Sequence, residues 1–178
     1  MTGSVAVCET VTVRRVEEAD WPLLRAVRLE MLADSPSAYL ETVTDAHQRT
    51  EEQWRARARR GSSGGTDLAL AAEPAGTTAR WVAYLACFVD GPGRAHLVSV
   101  YVAPEHRGTG LAGAMVDEVR RWARDEARVQ SLHLYVHEDN VRARAFYRRN
   151  GFAETGRSLP YELNPAELDL EMDQSLVD

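Results

Sequence analysis

Apolar and polar residues alternate along Val11-Thr-Val-Arg-Arg-Val16, and that period of two predicts a first strand. The period then lengthens. Asp20 stands as an N-cap with Pro22 in the first turn, and Leu23, Leu24, Val27, Leu29, Met31 and Leu32 form the stripe of a first helix. Asp34-Ser-Pro-Ser37 breaks it. From Thr44 to Arg60 a second helical stretch is polar nearly all round, with Trp54 its main apolar anchor; such a helix lies on the surface, where it can cover a cleft. Strands follow at Asp67 to Glu73 and Arg80 to Val89, separated by the hairpin-like Pro74-Ala-Gly-Thr-Thr78, and a turn at Asp90-Gly-Pro-Gly93 leads into a fourth strand, Ala95 to Val102.

Gly108 to Arg128 reads as a long helix with Leu111, Met115, Val116, Val119 and Trp122 on its inner face. Ser131 to Val136 is a fifth strand, Asn140 to Asn150 a short helix ended by Gly151, and the chain from Phe152 onward, with Glu167 to Met172, supplies the last strands. The order is strand, two helices, antiparallel meander, helix, strand, helix, strands. It predicts a single α/β domain over residues 1–178, a mixed sheet with helices on its faces. No internal repeat, low-complexity segment or interdomain linker interrupts it.

Composition narrows the function classes. A chain of 178 residues needs no metal or disulfide to hold a core, since a domain of this length buries about 70% of its unfolded surface. The formal charge is −6, with 21 basic against 27 acidic side chains, which argues against general affinity for nucleic acid or an anionic membrane and is compatible with a cationic amine substrate. Of two cysteines, Cys8 and Cys87, neither lies in a CxxC pair, and Cys87 sits in an apolar run as a buried thiol. No leader pattern opens the chain and no apolar run spans a bilayer, so a cytoplasmic protein is expected.

The segment richest in chemistry is Val98-Ser-Val-Tyr-Val-Ala-Pro-Glu-His-Arg-Gly-Thr-Gly-Leu-Ala-Gly113. A strand ends, a proline turn follows, and glycines open a helix whose free N–H groups and dipole favour a phosphate or pyrophosphate. Gly108-Thr-Gly-Leu-Ala-Gly113 matches GxGxxG literally, with Glu138 after the next strand. Ala103 to Arg107 intervene between strand and glycine, however, the preceding strands read as hairpins, and too few residues follow Val136 for further βαβ units. A nicotinamide-dependent oxidoreductase is the lesser alternative. A P-loop is excluded, because no Gly-Lys-Ser/Thr follows.

At this point the chain resembles the GNAT superfamily of N-acetyltransferases. Arg107-Gly-Thr-Gly-Leu-Ala112 matches that family's acetyl-CoA motif, Arg/Gln-x-x-Gly-x-Gly/Ala after a strand. Leu134-Tyr-Val136, Asn140, Ala143, Phe146-Tyr147 and Gly151-Phe152 follow its second motif in order and spacing. Ser35-Pro-Ser-Ala-Tyr-Leu-Glu-Thr42 is similar to an Ala-Pro-x-Ala-Phe-Gly-Ser-Thr loop of a bacterial subgroup, departing at Leu40 and Glu41 on the side where acceptors bind. The resemblance implies a mostly antiparallel sheet of about seven strands and about four helices, splayed between the fourth and fifth strands. It implies acetyl-CoA as co-substrate and no metal. Backbone groups of Val100 and Val102 and the side chain of Asn140 would hold pantetheine. The amides of Arg107, Gly108, Thr109, Gly110, Leu111, Ala112 and Gly113 would hold the pyrophosphate.

Acyl transfer to an alkylamine must remove a proton from a group of pKa about 10 and assist the departing thiolate. The resemblance casts Tyr147 as the acid. His96, on the fourth strand where many relatives carry Glu, is the candidate base, with His137 as the weaker alternative. His106 and His133 read as surface residues, and no group of histidines has metal-ligand spacing. Arg142, Arg144, Arg148 and Arg149 offer one contact to a 3′-phosphate or are a solvated helix face. Tyr39, Glu41, Trp54 and Trp81 are candidates for an acceptor pocket, the two tryptophans reading more readily as core. The expected reaction is direct attack by a small-molecule or peptide amine in a ternary complex; a CoA-binding sensor module without turnover is the alternative. A sheet edge near the C-terminus offers a surface through which a homodimer can pair.

Overall fold

The structure, a computed structural model, describes residues 11–62, 65–76 and 79–177. Cys8 lies outside the described residues. Seven strands form one sheet: β1 (Val11–Arg15), β2 (Asp67–Pro74), β3 (Ala83–Gly91), β4 (Arg94–Val102), β5 (Ser131–His137), β6 (Ala153–Tyr161) and β7 (Asn164–Ser175). Their order across the sheet is β1-β2-β3-β4-β5-β7-β6. Every neighbouring pair is antiparallel except β4 and β5. That exception follows from the connection, because a helical crossover through the segment 111–125 joins β4 to β5 whereas a tight turn joins β3 to β4.

Five α-helices accompany the sheet: α1 (Trp21–Asp34), α2 (Val43–Gln48), α3 (Glu51–Ser62), α4 (Leu111–Asp125) and α5 (Val141–Arg149). The sequence predicts one helix where α2 and α3 stand. The break is chemical. Arg49 leaves the helical region with ψ 134°. The Thr50 N–H then donates to Gln53 Oε1 at 2.8 Å, and the Gln53 N–H donates to Thr50 Oγ1 at 3.3 Å, a reciprocal cap that starts a new helix. Although α3 is polar on most of its surface, Trp54 and Ala58 are fully buried against α1 and the sheet.

Helix α4 also starts later than its apolar pattern predicts. Gly108 and Gly110 hold φ values of +81° and +89°, a left-handed region closed to helix, so the first helical residue is Leu111. At its other end Arg128 takes φ +53°, past the last helical turn. Asp20 does not cap α1 with its side chain. It accepts from the Glu17 N–H at 2.7 Å and is gripped by Arg14 at 2.6 and 2.9 Å, closing the turn before the helix.

Strand β2 is buried along both faces, from Leu68 to Glu73, so layers cover the sheet on both sides there. α3 lies on β2 and packs with α1, while α4 runs over β2 to β5 with Met115, Val116, Val119, Trp122 and Ala123 buried. β7 pairs with β5 over its whole length, from Ser131↔Ser175 to His137↔Asp169. β4 pairs with β5 only at Arg94↔Ser131, Ala95↔Leu132 and His96↔His133. Beyond His96 the two strands part. The register of β4 on β3 shifts between Tyr84↔Tyr101 and Ala86↔Val98, and Ser99 takes φ +58°. This is a bulge, and a bulge bends its strand. The splay expected from the resemblance is therefore present, with its local cause.

Contact between α3 and β2 is close at Gly61. A Cβ placed there would stand nearer to the Ala69 Cβ than real Cβ atoms approach. Gly→Ala in a helix ordinarily stabilises by about 1 kcal/mol, but overpacking costs about 1–3 kcal/mol and decides the sign here. Gly61→Ala is expected to lower the urea midpoint, and adding Ala69→Gly is expected to recover most of the loss. A Gly61→Ala chain as stable as wild type would contradict this contact.

Candidate functional site

A cleft of about 500 Å³ opens where β4 leaves β5. One wall is β4 at Val100 to Val102, another the turn and first residues of α4, a third α5 with Asn140, Ala143, Phe146 and Tyr147; Tyr39 reaches in from the loop after α1. The bulge exposes the β4 edge. The Ala103 N–H donates to Val82 O at 2.8 Å, so by antiparallel alternation Val102 turns its backbone groups away from β3. Two carbonyls on this edge are already engaged: Tyr39 Oη donates to Val100 O at 3.1 Å, and Arg107 Nε donates to Val102 O at 2.8 Å.

The turn after β4 is pinned rather than loose. The Arg107 guanidinium joins the strand end to Asp34 at the end of α1, and the Arg107 N–H donates to Pro104 O at 3.3 Å. Arg107 thus holds the turn in place with both its side chain and its amide. Thr109 turns its hydroxyl back to His106 O at 2.7 Å and does not line the cleft. Gly108 and Gly110 face open space where a side chain would project. The first helical bond of α4 runs from the Ala114 N–H to Gly110 O at 3.0 Å. The N–H groups of Leu111, Ala112 and Gly113 therefore have no intrahelical acceptor, and all three residues line the cleft. Three amides at the positive end of a 15-residue helix make a seat for a phosphate group.

Asn140 Oδ1 accepts from the Ala143 N–H at 3.0 Å and caps α5, which leaves its side-chain NH₂ to face a ligand. Tyr147 is 9% exposed, with its ring edge-on between Phe146 and Phe152 at centroid distances of 5.2 and 5.7 Å. Its hydroxyl makes no hydrogen bond with any described residue. Burial, and next the neighbouring Tyr39, push the phenol's pKa above its ordinary value, so it stays protonated at neutral pH. Among the arginines of α5, Arg144 and Arg148 are tied to Glu154 at 2.9 and 2.5 Å, whereas Arg142 and Arg149 reach the cleft wall.

His96 does not line this cleft. A second recess of about 290 Å³ lies on the other side of the bulge, beneath α3, lined by Arg57, Arg60, Tyr84, Phe88, Val98 and Ser99 among others. His96 does not line this recess either; its ring centroid lies 5.3 Å from that of Phe88, which does. Burial, and next the charge of His133, push the His96 pKa down to about 4, so its imidazole is neutral at physiological pH. His133, which the sequence reads as a surface residue, is 2% exposed. Its Nε2 lies 2.7 Å from Asp90 Oδ2, its Nδ1 has no partner, and its ring stacks on His96 at 4.4 Å, 24° from parallel. Sequence spacing shows no metal-ligand group, yet Asp90, His96 and His133 each bring one potential ligand atom within 4.8 Å of the others. Register across the parallel β4–β5 pair creates that cluster, which no linear spacing reveals. Stacked imidazoles do not aim their in-plane lone pairs at a common point, so the rings as placed fit each other better than they fit an ion.

His137 is held away from both recesses, with Nε2 on Glu167 Oε2 at 2.8 Å and its ring edge-on to Tyr161. His106, read from sequence as a surface residue, lines the cleft beside Arg107. Trp54 and Trp81 are fully buried in the core, as is Cys87, whose thiol burial drives strongly upward. The sequence reading misses Arg28. It occupies the buried stripe of α1 between Leu24 and Met31 and is 5% exposed, and a charge at that spacing is the signal that was available.

A sheet that parts between two parallel strands, over free helix amides and a buried phenol, defines the class of α/β protein that seats a phosphate-bearing ligand between its strands. Residues 28–152 match the model of the acetyltransferase (GNAT) family, and the chain belongs to that family. A mycothiol acetyltransferase of Salinispora tropica is 30% identical over 141 residues, covering 78% of this chain and 43% of that protein. The chain thus spans less than half the length of the curated relatives it matches. The fold is shared with a GNAT acetyltransferase from Streptococcus pneumoniae at TM-score 0.78, with 16% identity over 93% of this chain and 99% of that one. It is also shared with the PaiA N-acetyltransferase of Thermoplasma acidophilum, solved in complex with coenzyme A, at TM-score 0.72, with 18% identity over 93% and 99%. The nicotinamide alternative fails on topology, because a dinucleotide fold needs a mostly parallel sheet and only β4–β5 is parallel here. Among the described residues, no helix is long and apolar enough to cross a membrane.

The low pKa of His96 makes stability depend on pH with a definite sign. A His96 pKa of about 4 in the folded chain lies below its ordinary 6.5. The unfolded chain therefore takes up the proton first. His96 contributes stability above pH 6.5 and loses it as pH falls toward 4. Denaturant midpoints are expected to drop across that interval, and His96→Gln is expected to drop less steeply. Parallel slopes for the two proteins would contradict a half-buried, neutral His96.

Proposed function

We propose that the protein transfers the acetyl group of acetyl-CoA to a primary amine, by direct attack in a ternary complex. The observation that carries this reading is the convergence on one cleft of the parted β4 edge, the three free amides of α4 and the unbonded hydroxyl of Tyr147. Membership of the acetyltransferase family and the coenzyme A complex of a fold neighbour support it.

The residues divide the work by what each has free. Leu111, Ala112 and Gly113 bind the pyrophosphate through their N–H groups. Gly108 and Gly110 keep that approach clear, and Thr109 and Arg107 shape the turn. Val100 and Val102 present backbone groups to the pantetheine arm and, across the bulge, N–H donors to the developing oxyanion. Asn140 donates to the same arm. His96, already neutral, accepts the proton of the incoming ammonium directly or through water. The amine nitrogen then bonds to the thioester carbonyl carbon, the carbon–sulfur bond breaks, and Tyr147 gives its phenolic proton to the departing sulfur. The nitrogen, cationic after attack, gives up a second proton, which replaces the one Tyr147 lost, and release of the proton held by His96 to solvent restores the resting site.

Acetyl-CoA is expected to raise the melting temperature while NAD and ATP do not, since a ligand present at 100 times its Kd stabilises by about 2.7 kcal/mol. Stabilisation by NAD alone would overturn the reading. Tyr147→Phe is expected to lower kcat by about 10²-fold with acetyl-CoA affinity unchanged, the low end of what a positioned acid supplies; wild-type turnover would remove Tyr147 from the mechanism. In the pH profile, a base with its pKa near 4 places no acid limb in the range of an ordinary histidine. An activity loss centred near about 6.5 would contradict the neutral His96.

A further inference from the structure

An imbalance of charge borders the second recess, which it enters through Arg57. Glu41, 7% exposed, faces three guanidinium groups: Arg28 Nε at 2.7 Å, Arg49 Nε at 2.5 Å and Arg57 Nη1 at 3.3 Å. One carboxylate cannot neutralise three cations. Asp67, on β2, is the carboxylate that lines the recess itself. Arg28 is the most deeply placed of these groups. Burial, and next the charge of Arg57, pull its pKa below the ordinary arginine value. Burying charge is costly unless it is paired, so an excess of this kind persists where something outside the fold completes it.

Position ties the excess to the reaction. Arg28 Nη1 donates to Ser99 Oγ at 3.2 Å, at the bulge itself, and its guanidinium lies 5.0 Å from the centroid of the Tyr39 ring. Tyr39 in turn donates to Val100 O and lines the main cleft. Arg57, with 20% of its side chain exposed, lines the recess on the far side of the same bulge. The two recesses thus back onto one another across Ser99 and Val100, with the cations on the side away from the helix amides.

We infer that this recess binds the acceptor and that the acceptor carries a carboxylate beside its amine, held by Arg57 with Arg28 behind it. The inference rests on the acetyltransferase reading and gives its substrate class. A planar carboxylate matches the guanidinium fork. A recess of about 290 Å³ holds a molecule of amino-acid size. Glu41 and Asp67 oppose a more highly charged anion. A polyamine is disfavoured here, because it would bring more cations to a site already in excess.

The test uses matched pairs. L-amino acids, each beside its own α-amide, and β-alanine beside O-phosphoethanolamine are offered with acetyl-CoA, and free thiol is measured. In parallel, thermal stabilisation by the same pairs is measured in the presence of CoA, which needs no turnover. At least one acid is expected to exceed its amide by about tenfold in kcat/KM or affinity, the worth of one charge-assisted hydrogen bond. Arg57→Met, which removes the guanidinium and keeps an unbranched side chain, is expected to erase that difference. Amides or simple amines used as well as the acids, no acid stabilising more than its amide, or the phosphate ester preferred over β-alanine would each overturn the inference. Acids that stabilise without being acetylated would support the subsite and count against the transferase reading instead.

Discussion

The structure depends on an unmade set of hydrogen bonds. β4 and β5 are the one parallel pair among the described residues, and they pair for only three residues before the bulge at Ser99 bends β4 away. Strand edges left open are ordinarily a liability. Here Tyr39 and Arg107 cap two of the exposed carbonyls, and the groups that remain line a cleft. The same bend sets α4 with its free amides facing that gap. It also backs the cleft onto the arginine-rich recess under α3.

Arginine does much of the positioning. All 21 basic residues are arginines; the chain has no lysine. Carboxylates gather them in groups: the buried Glu41 with three, the buried Glu171 with Arg94 and Arg157, and the exposed Glu154 with Arg144 and Arg148. A guanidinium is planar and always charged, so it can serve two acceptors in fixed geometry where an ammonium cannot. Arg107 shows the use, since it binds the strand end and the end of α1 at once. Exposed pairs of this kind contribute only about 0–1 kcal/mol each. Their role is orientation, and the group around Glu41 departs from it by leaving charge uncancelled.

Much of this was legible in the sequence, for physical reasons. The glycine turn is local: left-handed backbone at Gly108 and Gly110 and free amides after them follow from residue order alone. The motif around Tyr147 likewise lies on one short helix. Pairings between distant strands were not legible. His133 reads as polar surface, yet strand register buries it against His96 and Asp90. The Thr50–Gln53 cap that divides the second helical stretch is visible in sequence but was outweighed by the continuous helical composition around it. Arg28 was hidden by its own helix, where a charge among apolar residues is easily passed over. Its meaning depends on Glu41 and Ser99, which come from elsewhere in the chain.

Amide hydrogen exchange, with and without acetyl-CoA, tests the central claim most directly. If the parted strand and the helix start form the binding cleft, protection rises at Leu111, Ala112, Gly113 and Val102. Arg94 to His96, already paired with β5, are expected to stay unchanged. Protection confined to α3 or to the β6–β7 hairpin, with the α4 amides exchanging as before, would contradict the account.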